Sequence, residues 1–219
     1  MTKKLLFYGL FFMLLFAGFM FALNRLIPGY SDVKMPVLSN VQPFSFTNQN
    51  GKQVTDNDIR GKVCVVEYFF TTCKGICPKM NRNMKMVFEK FKNEKDFLIL
   101  SHTVDPDTDS VGRMKQYADS MGADSNKWLF LTGRKDSLYS AARLSYLLDD
   151  PKNNNGTMEE QFIHTQFFAL VDKNGSVRRI YDGLKQDELK ELMKDIDKLL
   201  AENGNEKRSV NSLFNNNPQ

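Results

Sequence analysis

The hydrophobic pattern opens with an uninterrupted apolar run, Leu5–Leu23, which follows Lys3 and Lys4 and is closed by Asn24 and Arg25. A helix of this length nearly spans a hydrocarbon core of ~30 Å. It also exceeds the apolar region of roughly 7–15 residues that is typical of a cleaved signal peptide. We predict an uncleaved single-pass anchor over residues 1–25, with a cleaved signal as the alternative. The flanking positive charges favour a cytoplasmic N-terminus, which would place the remaining chain on the periplasmic or outer face of the cytoplasmic membrane.

Downstream, the pattern alternates between strand-like and helix-like segments. Val63–Phe70 and Phe97–Val104 are apolar, β-branched and aromatic runs, which are typical of strands buried on both faces, and Trp128–Leu131 predicts a shorter strand. Apolar residues at helical spacing predict helices from the turn Thr71–Pro78 to about Phe91, and over Ser110–Met121, Asp136–Leu148 and Gln186–Glu202. Tight turns predict two hairpins, Phe44–Thr47 with Lys52–Val54 and Phe167–Val171 with Val177–Tyr181.

This order of elements predicts an α/β fold with a mixed central sheet, helices on both faces and an N-terminal hairpin. The domain is expected to cover residues 43–203. Residues 26–42, which are punctuated by proline and glycine, read as a linker, and the polar, Asn-rich residues 204–219 as a disordered tail. A polar insert, Asp149–Glu160, precedes the second hairpin.

Charge and cysteine content narrow the classes of function. The net charge is +4 with both signs spread along the chain, and a dense basic stripe with interleaved aromatic residues is missing from the sequence, so we predict no nucleic-acid partner. The 3 cysteines are too few for a disulfide scaffold in a domain of this size. Cysteine chemistry is therefore expected to be local.

Cys73 and Cys77 are the first candidate functional residues. They lie four positions apart at the predicted start of a helix, a spacing that places two side chains on one helical face. Such a pair can close a disulfide or chelate one metal ion. The helix N-terminus and the neighbouring Lys74 favour thiolate over thiol, and Pro78 suits the first helical turn. Cys64, in the middle of a predicted strand, is expected to be inert core.

His164 is the expected third ligand, because it lies just before a strand, where a side chain can face a neighbouring loop. His102 is the alternative, although a histidine in the middle of a buried strand is expected to be packed in the core. Two thiolates and one imidazole suit copper, whereas a structural zinc site would require a fourth protein ligand. Zinc with an open coordination position remains an alternative.

Four segments resemble the SCO/SenC family, in the order in which that family has them. Thr71–Pro78 (TTCKGICP) is similar to its copper-binding loop, Val104–Ser110 to its VDP-x-x-D-T segment, and Trp128–Gly133 to its W-x-F-L-T-G strand. His164-Thr165, followed by Asp172–Gly175, is similar to its metal histidine and the following strand and turn. Together these segments extend over about residues 40–200.

The resemblance implies a thioredoxin-like domain with an inserted hairpin, and a copper site formed by Cys73, Cys77 and His164. It implies delivery of copper to the binuclear centre of cytochrome c oxidase, with the copper-centre subunit as partner and a copper donor protein upstream. The alternative function is reduction of the cysteines of that centre, with Cys73 and Cys77 as the redox pair and a thioredoxin-like protein as reductant.

Two departures from the family leave both functions open. Lys74 stands where the family often has proline, and Tyr139 aligns where some members carry an acidic residue that is linked to partner contact or redox behaviour. The residues alone assign no role to Asp105. A third, weaker alternative is a peroxiredoxin-like peroxidase, whose Thr-x-x-Cys motif is partly matched by Phe70-Thr71-Thr72-Cys73. The second cysteine one turn away argues against it.

Overall fold

The computed structural model describes residues 3–26, 35–149 and 165–202. The chain divides into two compact units, one ending at Pro36 and the other beginning at Val37. The first unit contains helix α1, Lys3–Leu26. Within it, the 21 residues of Lys3–Leu23 are long and apolar enough to cross a membrane. The apolar N-terminal helix predicted from the sequence is therefore present as a candidate membrane span.

The second unit is built on a mixed sheet. Its described strands are β1 Ser39–Asn40, β2 Ser45–Asn48, β3 Gln53–Thr55, β4 Val63–Phe69, β5 Phe97–Thr103, β6 Trp128–Thr132, β7 Phe167–Val171 and β8 Ser176–Asp182. Its described helices are α2 Asp56–Ile59, α3 Cys77–Phe91, α4 Val111–Met121, α5 Lys135–Ser140 and α6 Gln186–Ala201, and a π-helical turn covers Ala141–Ser145. These strands form one sheet in the order β1-β8-β7-β4-β5-β6-β2-β3.

The centre of the sheet is parallel and its flanks are antiparallel. β4, β5 and β6 pair in parallel, because α3 and α4 supply the long crossover that parallel neighbours require. β7 pairs antiparallel with β4, and the β2–β3 and β7–β8 hairpins complete the two flanks. The mixed sheet and both hairpins agree with the prediction.

Helices cover both faces of the sheet. Successive residues of a strand point to opposite sides, so the apolar buried strands present hydrophobic side chains to both faces. Cys64, Val66 and Tyr68 of β4 join an apolar core that includes residues of α5 and the π-helical turn. Phe69, which points the other way, contacts Tyr117 of α4. α3 packs on that second side as well, through a ring contact between Phe88 and Trp128.

The predicted helix Asp136–Leu148 is helical as far as Ser145, but its second half is π-helical rather than α-helical. The α-helix ends at Ser140 and gives way to a π-helical turn, in which the N–H of Tyr146 donates to the carbonyl of Ala141 at 2.9 Å. Leu147 then has φ of 55°, a left-handed conformation that ends the segment. Hydrophobic spacing does not separate α from π geometry over a single turn, so the pattern gave no sign of this change.

Residues that precede the predicted boundary at residue 43 are also attached to the sheet. β1 pairs antiparallel with β8 through Ser39 and Asn40, and the N–H of Val41 donates to the carbonyl of Gly175. These residues carry little hydrophobic signal, because backbone hydrogen bonds rather than side chains attach them to the sheet. Asp149 is the last described residue before the gap at 150–164, so the rest of the predicted insert and the tail at 204–219 lie outside the described residues.

Candidate metal and thiol centre

The two candidate cysteines lie at the carboxyl end of the central parallel strands. β4 ends at Phe69 and α3 begins at Cys77, and Phe70–Ile76 between them is here called the cysteine loop. The N–H of Cys73 donates to the carbonyl of Phe70 at 3.2 Å, which closes a turn within the loop. Cys73 is therefore not on the helix, and the prediction that both cysteines share a helical face is wrong. The loop, rather than helical spacing, brings them together.

The two thiols differ sharply in environment. Partial burial raises the pKa of Cys73, but hydrogen bonds from the Cys77 thiol and from the N–H groups of Cys77, Gly75 and Ile76 outweigh it, and the net pKa is lowered. The thiol of Cys77 is buried, and burial together with its hydrogen bond to Cys73 raises its pKa to about 12. The arrangement thus favours a Cys73 thiolate that accepts a hydrogen bond from a neutral Cys77 thiol.

A pocket of about 520 Å³ opens beside the thiols. Its walls combine aromatic and aliphatic residues with both cysteines and the residue that follows the predicted histidine ligand; they include Tyr68, Phe69, Phe70, Cys73, Ile76, Cys77, Val104 and Thr165. Ile76 on the rim is an exposed large hydrophobic residue. The pocket is therefore largely apolar and includes both cysteines in its lining.

Cys64 and His102 are packed in the interior, as predicted. Cys64 is fully buried, and burial raises the pKa of its thiol to about 12. His102 is also fully buried; its ring stacks on Tyr68 and contacts the rings of Phe46 and Tyr146. Burial lowers the pKa of His102 to about 3, so the imidazole is neutral. Its enclosure by aromatic rings argues against a role as a metal ligand.

His164 lies outside the described residues, and the predicted distance between it and the sulfurs stays a prediction. Thr165, the next residue, is buried and lines the pocket together with Cys73 and Cys77. Within residues 3–26, 35–149 and 165–202, three or more His, Cys, Asp or Glu side chains do not gather into a group that could hold a metal. Among the described residues, the cysteine pair therefore has no third side chain of these four types beside it that could share a metal ion.

One buried acidic residue close to the cysteines was not predicted from the sequence. Glu67 is fully buried on β4; its Oε1 accepts a hydrogen bond from the hydroxyl of Ser101, which also accepts one from the indole of Trp128. Burial raises the pKa of Glu67 to about 7. Its charge also contributes to the raised pKa of Cys77. The signal was available, since a single charged residue in a run such as VCVVEYFF marks a buried polar site.

Tyr139 and Asp105, to which the residues alone assign no role, both have structural contacts. The hydroxyl of Tyr139 is buried and donates to the carbonyl of Val104 at 2.9 Å, so this tyrosine braces a wall of the pocket. Asp105 closes a turn, with its N–H donating to the hydroxyl of Thr103 and its Oδ1 accepting from the N–H of Thr108. Neither side chain lines the pocket beside the thiols.

Comparison with known proteins gives consistent matches. The SCO1 protein homolog of Bacillus subtilis is 32% identical over 169 residues, covering 77% of this chain and 86% of the relative. BsSco, a member of the Sco family of cytochrome c oxidase assembly proteins in which a disulfide switch has been identified, has a TM-score of 0.65 at 29% identity and covers 78% of this chain and 99% of its own. ScoI of Bradyrhizobium japonicum, solved with copper bound, has a TM-score of 0.58 at 24% identity, covering 74% of this chain and 99% of its own.

These structural matches confirm the thioredoxin-like α/β fold that the resemblance implied, with a central sheet flanked by helices. A model of the SCO1/SenC family matches residues 36–201, which include the cysteine loop, His164 and every element from β1 to α6. The chain belongs to the SCO1/SenC family.

Proposed function

We propose that this protein is a membrane-anchored copper-binding metallochaperone, with copper as its cargo and Cys73, Cys77 and His164 as ligands. The observation that carries the proposal is the cysteine pair itself: two thiols, of which Cys73 has a lowered pKa through its hydrogen bond from Cys77, line one pocket with the residue after His164. Thiolate and imidazole donors suit copper, and a three-donor set leaves the ion accessible for transfer. A copper-bound relative with the same fold supports this choice.

The proposal implies that the partner is the copper-centre subunit of cytochrome c oxidase. The similar protein BsSco belongs to a family of cytochrome c oxidase assembly proteins, which supports this partner. The apolar pocket and the exposed Ile76 on its rim are suited to a protein surface rather than a small polar substrate. A chaperone must release its cargo, and the position of Cys73 in a loop leaves its sulfur accessible to thiols of an acceptor. A copper donor protein would load the site before transfer.

A second candidate function, thiol-disulfide exchange, is favoured by the difference between the two thiols. The Cys73 thiolate would attack a partner disulfide and release one partner thiolate; Cys77, after losing its proton, would then attack the Cys73 sulfur and release the second. The partner gains two electrons and the protein becomes the Cys73–Cys77 disulfide. A thioredoxin-like reductant would regenerate the dithiol. The lowered pKa of Cys73 and the raised pKa of Cys77 match the attacking and resolving roles.

His164→Ala is the experiment that tests the chaperone. We expect the variant to lose copper affinity by roughly two orders of magnitude, because the ion loses one of its three donors. Cycling of Cys73 and Cys77 between dithiol and disulfide should continue, because exchange needs only a thiolate, a leaving sulfur and access. A Cu(I) competition titration measures the first effect and a thiol-exchange assay the second.

The matched control is His102→Phe, which keeps an aromatic ring in the buried cluster and should leave copper affinity unchanged. Cells carrying His164→Ala, grown at limiting copper, provide the functional readout. If they assemble active oxidase as well as wild-type cells do, copper transfer is not the essential function and thiol reduction becomes the better assignment.

The proposed membrane anchor makes a separate prediction. Mature protein isolated from membranes should retain the Leu5–Leu23 segment and resist extraction by high salt, because an apolar span of this length is held by the hydrocarbon core rather than by charge. The soluble domain should be accessible to protease from the periplasmic or outer side. N-terminal sequencing that begins at or beyond Leu26 would contradict the anchor and indicate a secreted domain.

A further inference from the structure

A fully buried carboxylate connects the cysteine loop to the end of the neighbouring strand. Asp109 lies in the turn before α4 and is 0% exposed. Its Oδ2 accepts hydrogen bonds from the N–H of Thr71 at 3.2 Å and from the hydroxyl of Thr103 at 2.6 Å, while its Oδ1 accepts one from the hydroxyl of Thr71. One side chain therefore fixes the loop, two residues before Cys73, to the last residue of β5.

Arg113 extends the same network to α4. Its Nε donates to the Thr71 hydroxyl at 2.7 Å and lies 3.9 Å from Oδ1 of Asp109. Thr71 thus uses its N–H, its hydroxyl proton and a hydroxyl lone pair in a single cluster. The guanidinium balances the buried negative charge, as a buried carboxylate requires.

The turn that carries Asp109 is itself well braced. The N–H of Asp109 donates to the carbonyl of Asp105 at 2.8 Å, and the N–H of Asp105 donates to the hydroxyl of Thr103 at 2.9 Å. Ser110 then caps α4 by accepting from the N–H of Arg113. These hydrogen bonds fix Asp109 within its own turn. Its bonds to Thr71 therefore restrict the conformation of the cysteine loop.

We propose that Asp109 is a positioning residue for the thiol pair: through Thr71 it holds the cysteine loop in the shape that keeps Cys73 and Cys77 side by side. The inference rests on the proposed function in that it takes these two cysteines as the working thiols. A loop that is ordered in advance does not have to lose conformational entropy when the sulfurs join or bind one ion. Asp109 touches neither sulfur, so it acts on the pair only through the loop.

The direct measure of this positioning is the exchange of the pair with glutathione. One molecule of oxidised glutathione takes two electrons from Cys73 and Cys77, which form a disulfide as two molecules of reduced glutathione are released. The equilibrium constant reports how readily the two sulfurs meet. We expect Asp109→Asn, which keeps the size of the side chain but removes its charge and one of its two acceptor oxygens, to lower this constant roughly tenfold, a change that the loss of one charged hydrogen bond supports.

Two further variants separate positioning from general stability. Thr71→Val keeps the β-branched shape and removes only the hydroxyl, and we expect it to lower the same constant by roughly threefold. Asp172→Asn is the matched control: Asp172 is another buried carboxylate, bonded to Arg178 and to the N–H of Ser176. It follows Val171, which pairs with Cys64 near the start of β4, at the opposite end of that strand from the cysteine loop. Asp172→Asn should lower the melting temperature and leave the glutathione equilibrium unchanged.

The proposal is overturned if Asp109→Asn lowers the melting temperature as Asp172→Asn does but leaves the glutathione equilibrium within twofold of wild type. If Asp109→Asn fails to fold, Thr71→Val decides by the same criterion. The assay needs neither copper nor oxidase, so a failure of copper binding in His164→Ala or wild-type protein does not affect its outcome. A wild-type pair that forms no disulfide with glutathione would instead reject the premise that these are working thiols, and the positioning role with it.

Discussion

Cys73→Ser and Cys77→Ser are each expected to abolish copper binding, while Cys64→Ala is expected to leave the copper stoichiometry unchanged. A serine hydroxyl does not ionise at neutral pH and is a hard donor, so it does not replace a thiolate toward copper. Either serine variant should also end thiol cycling, because the pair needs both an attacking and a resolving sulfur. Copper content after dialysis against a weak chelator measures the first effect, and thiol counting after oxidation measures the second.

Cys64→Ala is the matched control because it removes a sulfur that lies in the core beside Val66 and Tyr68 rather than at the pocket. Its cost should be modest, about 1 kcal/mol in the free energy of unfolding, for a small cavity. Retention of one copper by either serine variant, or loss of copper from Cys64→Ala, would show that the ligands have been assigned to the wrong sulfurs.

Glu67→Gln is expected to stabilise the protein at alkaline pH and to leave its stability unchanged in acid. Burial raises the pKa of Glu67 from its ordinary value of 4.5 to about 7. Between these values the folded state holds a proton that the unfolded state has lost, so wild-type stability falls as the pH rises from about 4.5 and the loss is complete above about 7. At about 1.4 kcal/mol for each pH unit, the full loss is on the order of 3 kcal/mol.

The glutamine introduced by this substitution would carry no charge at any pH, and its amide oxygen can still accept the hydrogen bond from Ser101. Denaturant unfolding at pH 4.5 and pH 8 measures the difference: the variant should match wild type at the lower pH and exceed it by about 3 kcal/mol at the higher. Glu94→Gln, at an exposed position after α3, controls for net charge. Parallel stability curves for Glu67→Gln and wild type would mean that Glu67 is not desolvated in solution as it is in the structure.

Much of this fold could be predicted from periodicity, and the parts that could not share a physical cause. The strands β4 and β5 and the helices α3, α4 and α6 bury apolar faces, so their residue patterns carry the signal. β1 and the π-helical turn are decided by backbone hydrogen bonds, such as those between Val41 and Gly175 and between Tyr146 and Ala141. Backbone groups are the same in every residue except proline, so a sequence pattern carries little information on which of them pair.

The candidate site also has features that the sequence pattern predicts and features that it does not. The residue types and their order determined the expected chemistry: two cysteines lie four apart after a buried strand, and a histidine precedes a later one. They also separated Cys64 from Cys73 and Cys77, because an apolar strand and a Gly- and Pro-bearing turn differ plainly in composition. The reason assigned to the pairing, a shared helical face, was nevertheless wrong, since α3 begins only at Cys77.

Only the tertiary structure decided what surrounds the thiols. Asp109 meets Thr71 because β4 and β5 are parallel neighbours whose carboxyl ends lie at one edge of the sheet, and Thr165 reaches the same pocket from the β7 side. These contacts join residues tens of positions apart, and each depends on strand order and register rather than on local composition. Charge, softness and spacing are local properties that a sequence contains, whereas the burial that shifts the pKa of Cys77 and Glu67 exists only when distant segments exclude water together.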